Sequence, residues 1–229
     1  MRTRGLFLTL TVGVLVGGWW GSGIAVAQAQ SEGDVFALAT CPVSGEKLGS
    51  MGDPVVYSHE GREIRFCCKS CEPKFQAEPA KYLKDVDAAM VQEQMPYYPL
   101  ATCAVSGEAL GEKPTNYIYN NRLVRFCCSD CIEEFKKDPA KVLSKLDAAA
   151  TEKQKADYPL DTCLVSGKKL ETSVDMVSGN RLVRFCCPGC PKQFKKDPAK
   201  YLSMLDESAK GKAPSAAAAP SVKEKKKEE

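Results

Sequence analysis

The chemistry available to this chain is that of its thiols, because its 229 residues include 12 cysteines and one histidine. The cysteines form three groups of four, each with one cysteine followed further along by a Cys-Cys-x-x-Cys segment. Thiolates in such an arrangement can bind a soft metal ion, pair as disulfides or exchange disulfides. The candidate metal ligands are Cys41, Cys67, Cys68, Cys71, Cys103, Cys127, Cys128, Cys131, Cys163, Cys186, Cys187 and Cys190.

The single histidine and the balanced charge exclude several classes of function. With only His59 available, His-rich metal sites, c-type haem attachment and repeated Cys/His fingers are excluded. We expect His59 to lie on a strand surface, because the other two groups have no counterpart. The 32 basic and 29 acidic residues give no reason to predict nucleic-acid binding. No catalytic centre accompanies the cysteines, so no enzymatic activity is predicted.

Each cysteine group belongs to one copy of a unit that recurs about every 60 residues. In the first copy Cys41 is followed by Val43, Ser44 and Gly45, and the segment 65–71 reads Arg-Phe-Cys-Cys-x-x-Cys. A phenylalanine (Phe75 in the first copy) and a Pro-Ala-Lys segment close the unit. The predicted units span residues 34–92, 96–153 and 156–209.

The elements that must position these cysteines can be predicted from local patterns. The Cys-x-Val-Ser-Gly segment indicates a tight turn, because its glycine permits a left-handed backbone. Two short strands on either side of residues 60–61 indicate a β-hairpin, and a short helix is expected to begin near the last cysteine. A second helix should follow, with Asp138 and Asp197 as N-caps in the second and third copies. The predicted fold class is α+β.

Both ends of the chain differ from the repeats. Arg2 and Arg4 precede an apolar run at 6–20 and small residues at 25–29, a pattern typical of a cleaved signal peptide spanning residues 1–29. Export to the periplasm or the medium would place the cysteines in an oxidising compartment, and no membrane anchor is expected after cleavage. Residues 210–229 are rich in Lys, Glu and Ala, which predicts a disordered tail.

The sequence does not decide which of the four cysteines in a unit would bind the metal ion. Adjacent cysteines such as Cys67 and Cys68 point in opposite directions along an extended strand, so the most natural set is Cys41, Cys67 and Cys71. Cys68 is then a fourth ligand, a disulfide partner or a free thiol. Three thiolates suit Cu(I), whereas four suit structural Zn²⁺. A unit of about 55–60 residues also needs a metal or disulfides for stability.

Two other interpretations of the same cysteines remain. In an exported protein they can pair as two disulfides per unit, for example Cys41 with Cys68 and Cys67 with Cys71. The module would then be a disulfide-stapled interaction domain. Alternatively, the Cys-x-x-Cys pairs near a helix start are typical of thiol–disulfide oxidoreductases, although no βαβ pattern accompanies them.

The ordered features together resemble the YHS and TRASH families of small metal-binding domains. The resemblance rests on the Cys-Pro-Val-Ser-Gly segment at 41–45, the segment 61–71, Phe75 and the Pro-Ala-Lys-Tyr-Leu segment at 79–83. It extends over all three copies and implies treble-clef-like modules that bind heavy metals. Many members have a cysteine where this chain has serine. The three serines are Ser44, Ser106 and Ser166.

We therefore expect an exported, non-enzymatic protein of three treble-clef-like modules, each holding one zinc or copper(I) ion through cysteine thiolates. The resemblance implies a role in metal trafficking or resistance, with another metal-handling protein as a partner. The alternatives are the disulfide-stapled interaction module and the oxidoreductase.

Overall fold

The computed structural model describes residues 34–211, so the predicted signal peptide and residues 212–229 of the predicted tail lie outside the described part. Within it, the fold is α+β, as predicted, and consists of three repeated units. In the first unit, the hairpin strands are β1 (Val55–His59) and β2 (Arg62–Phe66). Helices α1 (Cys71–Ala77) and α2 (Pro79–Gln94) follow, and a 3-10 turn (Met95–Tyr97) leads to the next unit.

The second and third units repeat this order. The second contains β3 (Thr115–Tyr119), β4 (Arg122–Phe126), α3 (Asp130–Lys137) and α4 (Pro139–Lys155). The third contains β5 (Val174–Ser178), β6 (Arg181–Phe185), α5 (Cys190–Phe194) and α6 (Pro198–Gly211). Helix α6 therefore continues to Gly211, past the predicted start of the tail at residue 210.

Each hairpin forms an antiparallel two-stranded sheet joined by a two-residue turn. In the second hairpin both turn residues, Asn120 and Asn121, have positive φ angles of 44° and 68°. Such a backbone matches the right-handed twist of the strands it joins, and asparagine tolerates it better than most residues. The turn fixes a register in which Tyr119 lies opposite Arg122 and Thr115 opposite Phe126.

The second helix of each unit begins at a proline, and the predicted N-caps precede it in the second and third units. In the second unit the side chain of Asp138 accepts a hydrogen bond from the Lys141 N–H, and Asp197 accepts one from Lys200 in the third. These carboxylates satisfy amide groups that have no partner within the helix. The helix start is thus fixed by local sequence, which orients the helix over the hairpin.

Each unit has its own core, built around two phenylalanines. Phe66 and Phe75 are fully buried in the first unit, with ring centroids 5.4 Å apart. Leu83, near the start of α2, is half-buried and packs against this core, and Val86 and Met90 one and two turns later are buried in it. Helix α2 therefore contributes side chains to this core from its first turns onward.

Polar side chains join consecutive units. Arg62 Nε donates to Asn121 Oδ1 at 2.7 Å, and the Asn121 amide donates to the Glu63 carbonyl at 2.8 Å. Gln94, at the end of α2, donates to the Asn121 carbonyl and accepts from the Leu123 N–H. The outward edge of each two-stranded sheet would otherwise leave backbone groups unpaired. The same contacts recur one unit later through Arg122, Asn180, Leu123, Gln154 and Leu182.

None of the helices between residues 34 and 211 is long and apolar enough to cross a membrane.

Candidate metal centres

A tight turn presents the first cysteine of each unit. In the first unit the Cys41 N–H donates to the Glu46 carbonyl, and the Gly45 N–H donates back to the Cys41 carbonyl at 2.9 Å. Gly45 makes this possible with a φ of 75°, a conformation that most L-residues avoid. The turn holds Cys41 facing inward, and only 1% of its surface is exposed. The same pair of backbone bonds recurs at Cys103 and Cys163.

The junction between hairpin and helix presents the other cysteines. Cys67 directly follows β2, and Cys71 is the first residue of α1. Both are buried, with 3% and 4% of their surfaces exposed. The hairpin and the following helix therefore aim two thiols at the turn that carries Cys41.

Three thiols meet in every unit. Their sulfur atoms all lie within 4.8 Å of one another, so each group could hold one metal ion. These are the three ligands that the sequence favoured in each copy. The groups are Cys41, Cys67 and Cys71; Cys103, Cys127 and Cys131; and Cys163, Cys186 and Cys190.

The fourth cysteine lies beside two members of the triad. Cys68 Sγ is 3.8 Å from Cys67 Sγ and 3.7 Å from Cys71 Sγ, and the Cys67 and Cys71 sulfurs are 3.8 Å apart. Four thiolates around Zn²⁺ with Zn–S bonds of about 2.3 Å would lie about 3.8 Å apart along each tetrahedral edge. The three sulfur–sulfur distances match that edge. Cys68 nevertheless does not belong to the group of sulfur atoms that all lie within 4.8 Å of one another. The distance between the Cys68 and Cys41 sulfurs is therefore the one that is too long for a tetrahedral site.

The expectation that adjacent cysteines diverge fails for a specific reason. Alternation of side chains holds along an extended strand, but β2 ends at Phe66, and residues 67–70 form a bend and a turn. Cys67 and Cys68 are therefore outside the strand, and both sulfurs face the same side. The second unit repeats the arrangement, with 3.9 Å between the sulfurs of Cys127 and Cys128.

All twelve cysteines, which lie within the described residues, are free thiols. The pairings Cys41–Cys68 and Cys67–Cys71 are accordingly not formed. The Cys-x-x-Cys pairs are close, with 3.5 Å between the sulfurs of Cys187 and Cys190. The sheets described between residues 34 and 211 are antiparallel hairpins rather than the βαβ units of a thioredoxin fold.

A serine hydroxyl contacts each cluster, a feature that the sequence did not single out as functional. Ser44 Oγ lies 3.3 Å from Cys67 Sγ, and the corresponding distances at Ser106 and Ser166 are 3.5 Å and 3.2 Å. The signal in the sequence was the recurrence of serine three residues after the first cysteine of every copy. The hydroxyl can donate a hydrogen bond to a thiolate and so orient it.

The first cysteine of each unit has a lowered pKa. Burial alone would raise the pKa of Cys41, but hydrogen bonds from the Ser44 hydroxyl and from the Cys67, Ser44 and Val43 amides lower it to about 7. The equivalent bonds lower the pKa of Cys103 and of Cys163 to about 6. Burial, together with the neighbouring sulfurs of Cys68, Cys41 and Cys67, raises the pKa of Cys71 to about 12. One triad thus combines an easily ionised thiol with one that needs a cation to ionise.

The histidine and the arginines that precede the Cys-Cys pairs are not part of the sulfur clusters, and the arginines make different contacts in the three copies. His59 is half-buried, with its ring edge-on to Phe75 at a centroid distance of 5.3 Å, and it joins none of the three groups. It is thus a packing residue more than a surface residue. Arg65 is buried and binds the third unit, whereas Arg125 and Arg184 bond within their own hairpins.

Comparison with known proteins returned no matching family model, no similar curated protein and no similar solved structure.

Proposed function

We propose that this protein binds soft metal ions, one in each unit, through cysteine thiolates. The observation that carries the proposal is the convergence of three sulfur atoms within 4.8 Å in all three units, with the cysteines unpaired. Buried thiols gathered at one point gain little from packing alone, whereas a cation would compensate their charge when ionised.

The spacing of the sulfurs favours four thiolates and therefore Zn²⁺. The triangle formed by Cys67, Cys68 and Cys71 has the edge lengths of a tetrahedral site. Movement of Cys68 toward Cys41 would complete the fourth corner. A three-thiolate site without Cys68 would instead suit Cu(I), which makes copper(I) the second ion to test.

The biological role we infer is the handling of such ions outside the cytoplasm. The pattern at 1–29 is that of an export signal, and the resemblance to YHS and TRASH modules supports trafficking or resistance. Three similar sites on one chain also suit a buffer, or a donor that meets its partner through several modules.

The decisive experiment is native mass spectrometry of the mature chain, before and after chelation, with thiol counting. We expect three bound zinc ions that leave on chelation, and twelve titratable thiols afterwards. The triple variant Cys41→Ser, Cys103→Ser and Cys163→Ser should bind zinc much more weakly. A metal-free mass without titratable thiols would overturn the proposal in favour of disulfides, and rapid reduction of insulin would favour an oxidoreductase.

A further inference from the structure

The three sites are not equally open, although their sequences are similar. The difference is clearest at the fourth cysteine, the one outside the triad. Cys68 is half-buried in the first unit, whereas Cys128 and Cys187 are exposed. An exposed ligand is the one that solvent or an incoming ligand reaches first, since accessibility governs the reactivity of thiols.

The same gradient extends into the triads. Cys67 is buried in the first unit, with 3% of its surface exposed, while Cys127 and Cys186 at the same position are half-buried. Cys67 and Cys68 of the first site are therefore both less exposed than the cysteines at the same positions in the other two sites. The Arg-Phe-Cys-Cys segment itself does not cause this difference, because it is identical in all copies.

We connect this difference with a contact between units. Arg65, two residues before Cys67, is 4% exposed and donates to the backbone carbonyls of Lys195 and Lys196 just after α5, the latter at 2.7 Å. The third unit is thus held against the strand that leads into the first site. Arg125, at the same position in the second unit, instead bonds to Asn116 on its own hairpin.

We propose that the fourth cysteine of each unit is the exchange position, and that the sites release metal in a graded order, with the second and third fast and the first slow. The inference rests on the proposed function. An incoming thiolate from a partner protein forms a new metal–sulfur bond as the bond to Cys128 or Cys187 breaks. The departing thiolate takes up a proton, and the incoming thiol has released one, so no electrons are transferred. The buried triad holds the ion until the partner has engaged it.

Pulsed alkylation of the zinc-loaded full chain tests this order. EDTA is added, and samples are taken over time into excess N-ethylmaleimide, with the modified cysteines mapped by peptide mass spectrometry. The metal-free chain under the same pulse gives the intrinsic reactivity of each thiol. A parallel series with dimercaptosuccinate replaces the chelator by an incoming thiolate.

Three results are expected. Cys128 and Cys187 should lose protection before the triads to which they belong, and the second and third sites should lose zinc about fivefold faster than the first, or more. Arg65→Met should bring the first site close to the rate of the others, while the matched variant Arg125→Met should leave all three rates unchanged. The Arg65 effect must appear in a chain that still binds three zinc ions, so that unfolding is not mistaken for exchange.

The outcomes separate this inference from the proposed function. If zinc protects no cysteine, the proposed function fails. If zinc protects all three sites but they release it at one rate, or if the fourth cysteine leaves together with its triad, the metal-binding function stands and the graded exchange is wrong.

Discussion

Ser44 Oγ lies 3.3 Å from Cys67 Sγ, in the turn that presents Cys41. The hydroxyl also contacts the Glu46 N–H, so it is held in the tight turn. A serine so placed can stabilise a negative sulfur by hydrogen bonding without itself becoming a ligand. The fourth ligand position is then left to Cys68, whose sulfur lies 3.8 Å from that of Cys67.

Replacing this hydroxyl should weaken metal binding at one site alone. In Ser44→Ala, the thiolates of Cys41 and Cys67 lose a donor, and the affinity of the first site for zinc should fall by about tenfold, the typical effect of removing a hydrogen bond to a metal ligand. Zinc-dependent protection of Cys67 from alkylation, measured against a competing chelator, reports this affinity. The second and third sites of the same chain serve as internal controls.

Ser50→Ala provides a matched control, because the Ser50 hydroxyl is exposed and donates to the Lys47 carbonyl, away from the sulfurs. It should leave the affinity of the first site unchanged. Equal weakening by both substitutions would show that the turn as a whole, rather than the contact with sulfur, sets the affinity.

Chelation should destabilise the chain markedly, because each unit has only a small core. A ligand that binds the folded state stabilises it by RT ln(1 + [L]/Kd), about 4 kcal/mol when free zinc is a thousand times Kd. We expect the thermal midpoint to fall when EDTA is added and to recover on return of excess zinc. Calorimetry measures both changes. A midpoint that is indifferent to EDTA would mean that the packed units need no metal for stability.

Local structure was largely predictable from the sequence. The hairpin around residues 60–61, the proline-started helices and the set Cys41, Cys67 and Cys71 follow from nearest-neighbour chemistry. Glycine and proline restrict the backbone within a few residues, so their effect can be recognised without the tertiary fold. The repetition of each signal in three copies strengthened the assignments.

Features that depend on contacts between units were not predictable. The burial of Arg65 requires the carbonyl groups after α5, which are more than a hundred residues away along the chain. The side-by-side placement of Cys67 and Cys68 depends on where β2 ends, and strand ends are poorly specified by local patterns. The contact of Arg65 has no local sequence signal, because Arg125 and Arg184 occur in the same motif and bond within their own hairpins.

Asp34 should make the free energy of unfolding fall as pH rises, whereas Asp175 should make it fall as pH drops. Burial raises the pKa of Asp34 despite its contacts with Arg122 and the Gly179 N–H. The folded state therefore holds this proton more tightly than the unfolded state, and stability falls as pH rises above the ordinary value of about 3.9. Although burial opposes it, hydrogen bonds from Lys155, Ser173 and Arg184 lower the pKa of Asp175, so its contribution is lost as pH falls.

The variants Asp34→Asn and Asp175→Asn isolate these contributions. The unfolding free energy of wild type minus that of Asp34→Asn should decrease from about pH 4 to about pH 7, whereas the difference for Asp175→Asn should increase as pH rises from about 2 to about 5. Urea denaturation at fixed ionic strength measures both. Slopes of the same sign would contradict the assignment of Asp34 as an aspartate that folding disfavours in its charged form.

The Gln94 side chain should contribute several kcal/mol to the free energy of unfolding, because it forms hydrogen bonds with residues of the other two units. It is 6% exposed, donates to the Asn121 carbonyl at 2.8 Å and accepts from the Leu123 N–H at 2.8 Å and from the Asn180 amide at 3.2 Å. Gln94→Ala leaves these buried groups unpaired, and unfolding free energy should fall by about 2–4 kcal/mol. The control Gln92→Ala, on the exposed face of α2, should change it by less than about 0.5 kcal/mol. Equal, small effects in urea denaturation would mean that water replaces Gln94 at the joint and that the units are held together by other contacts.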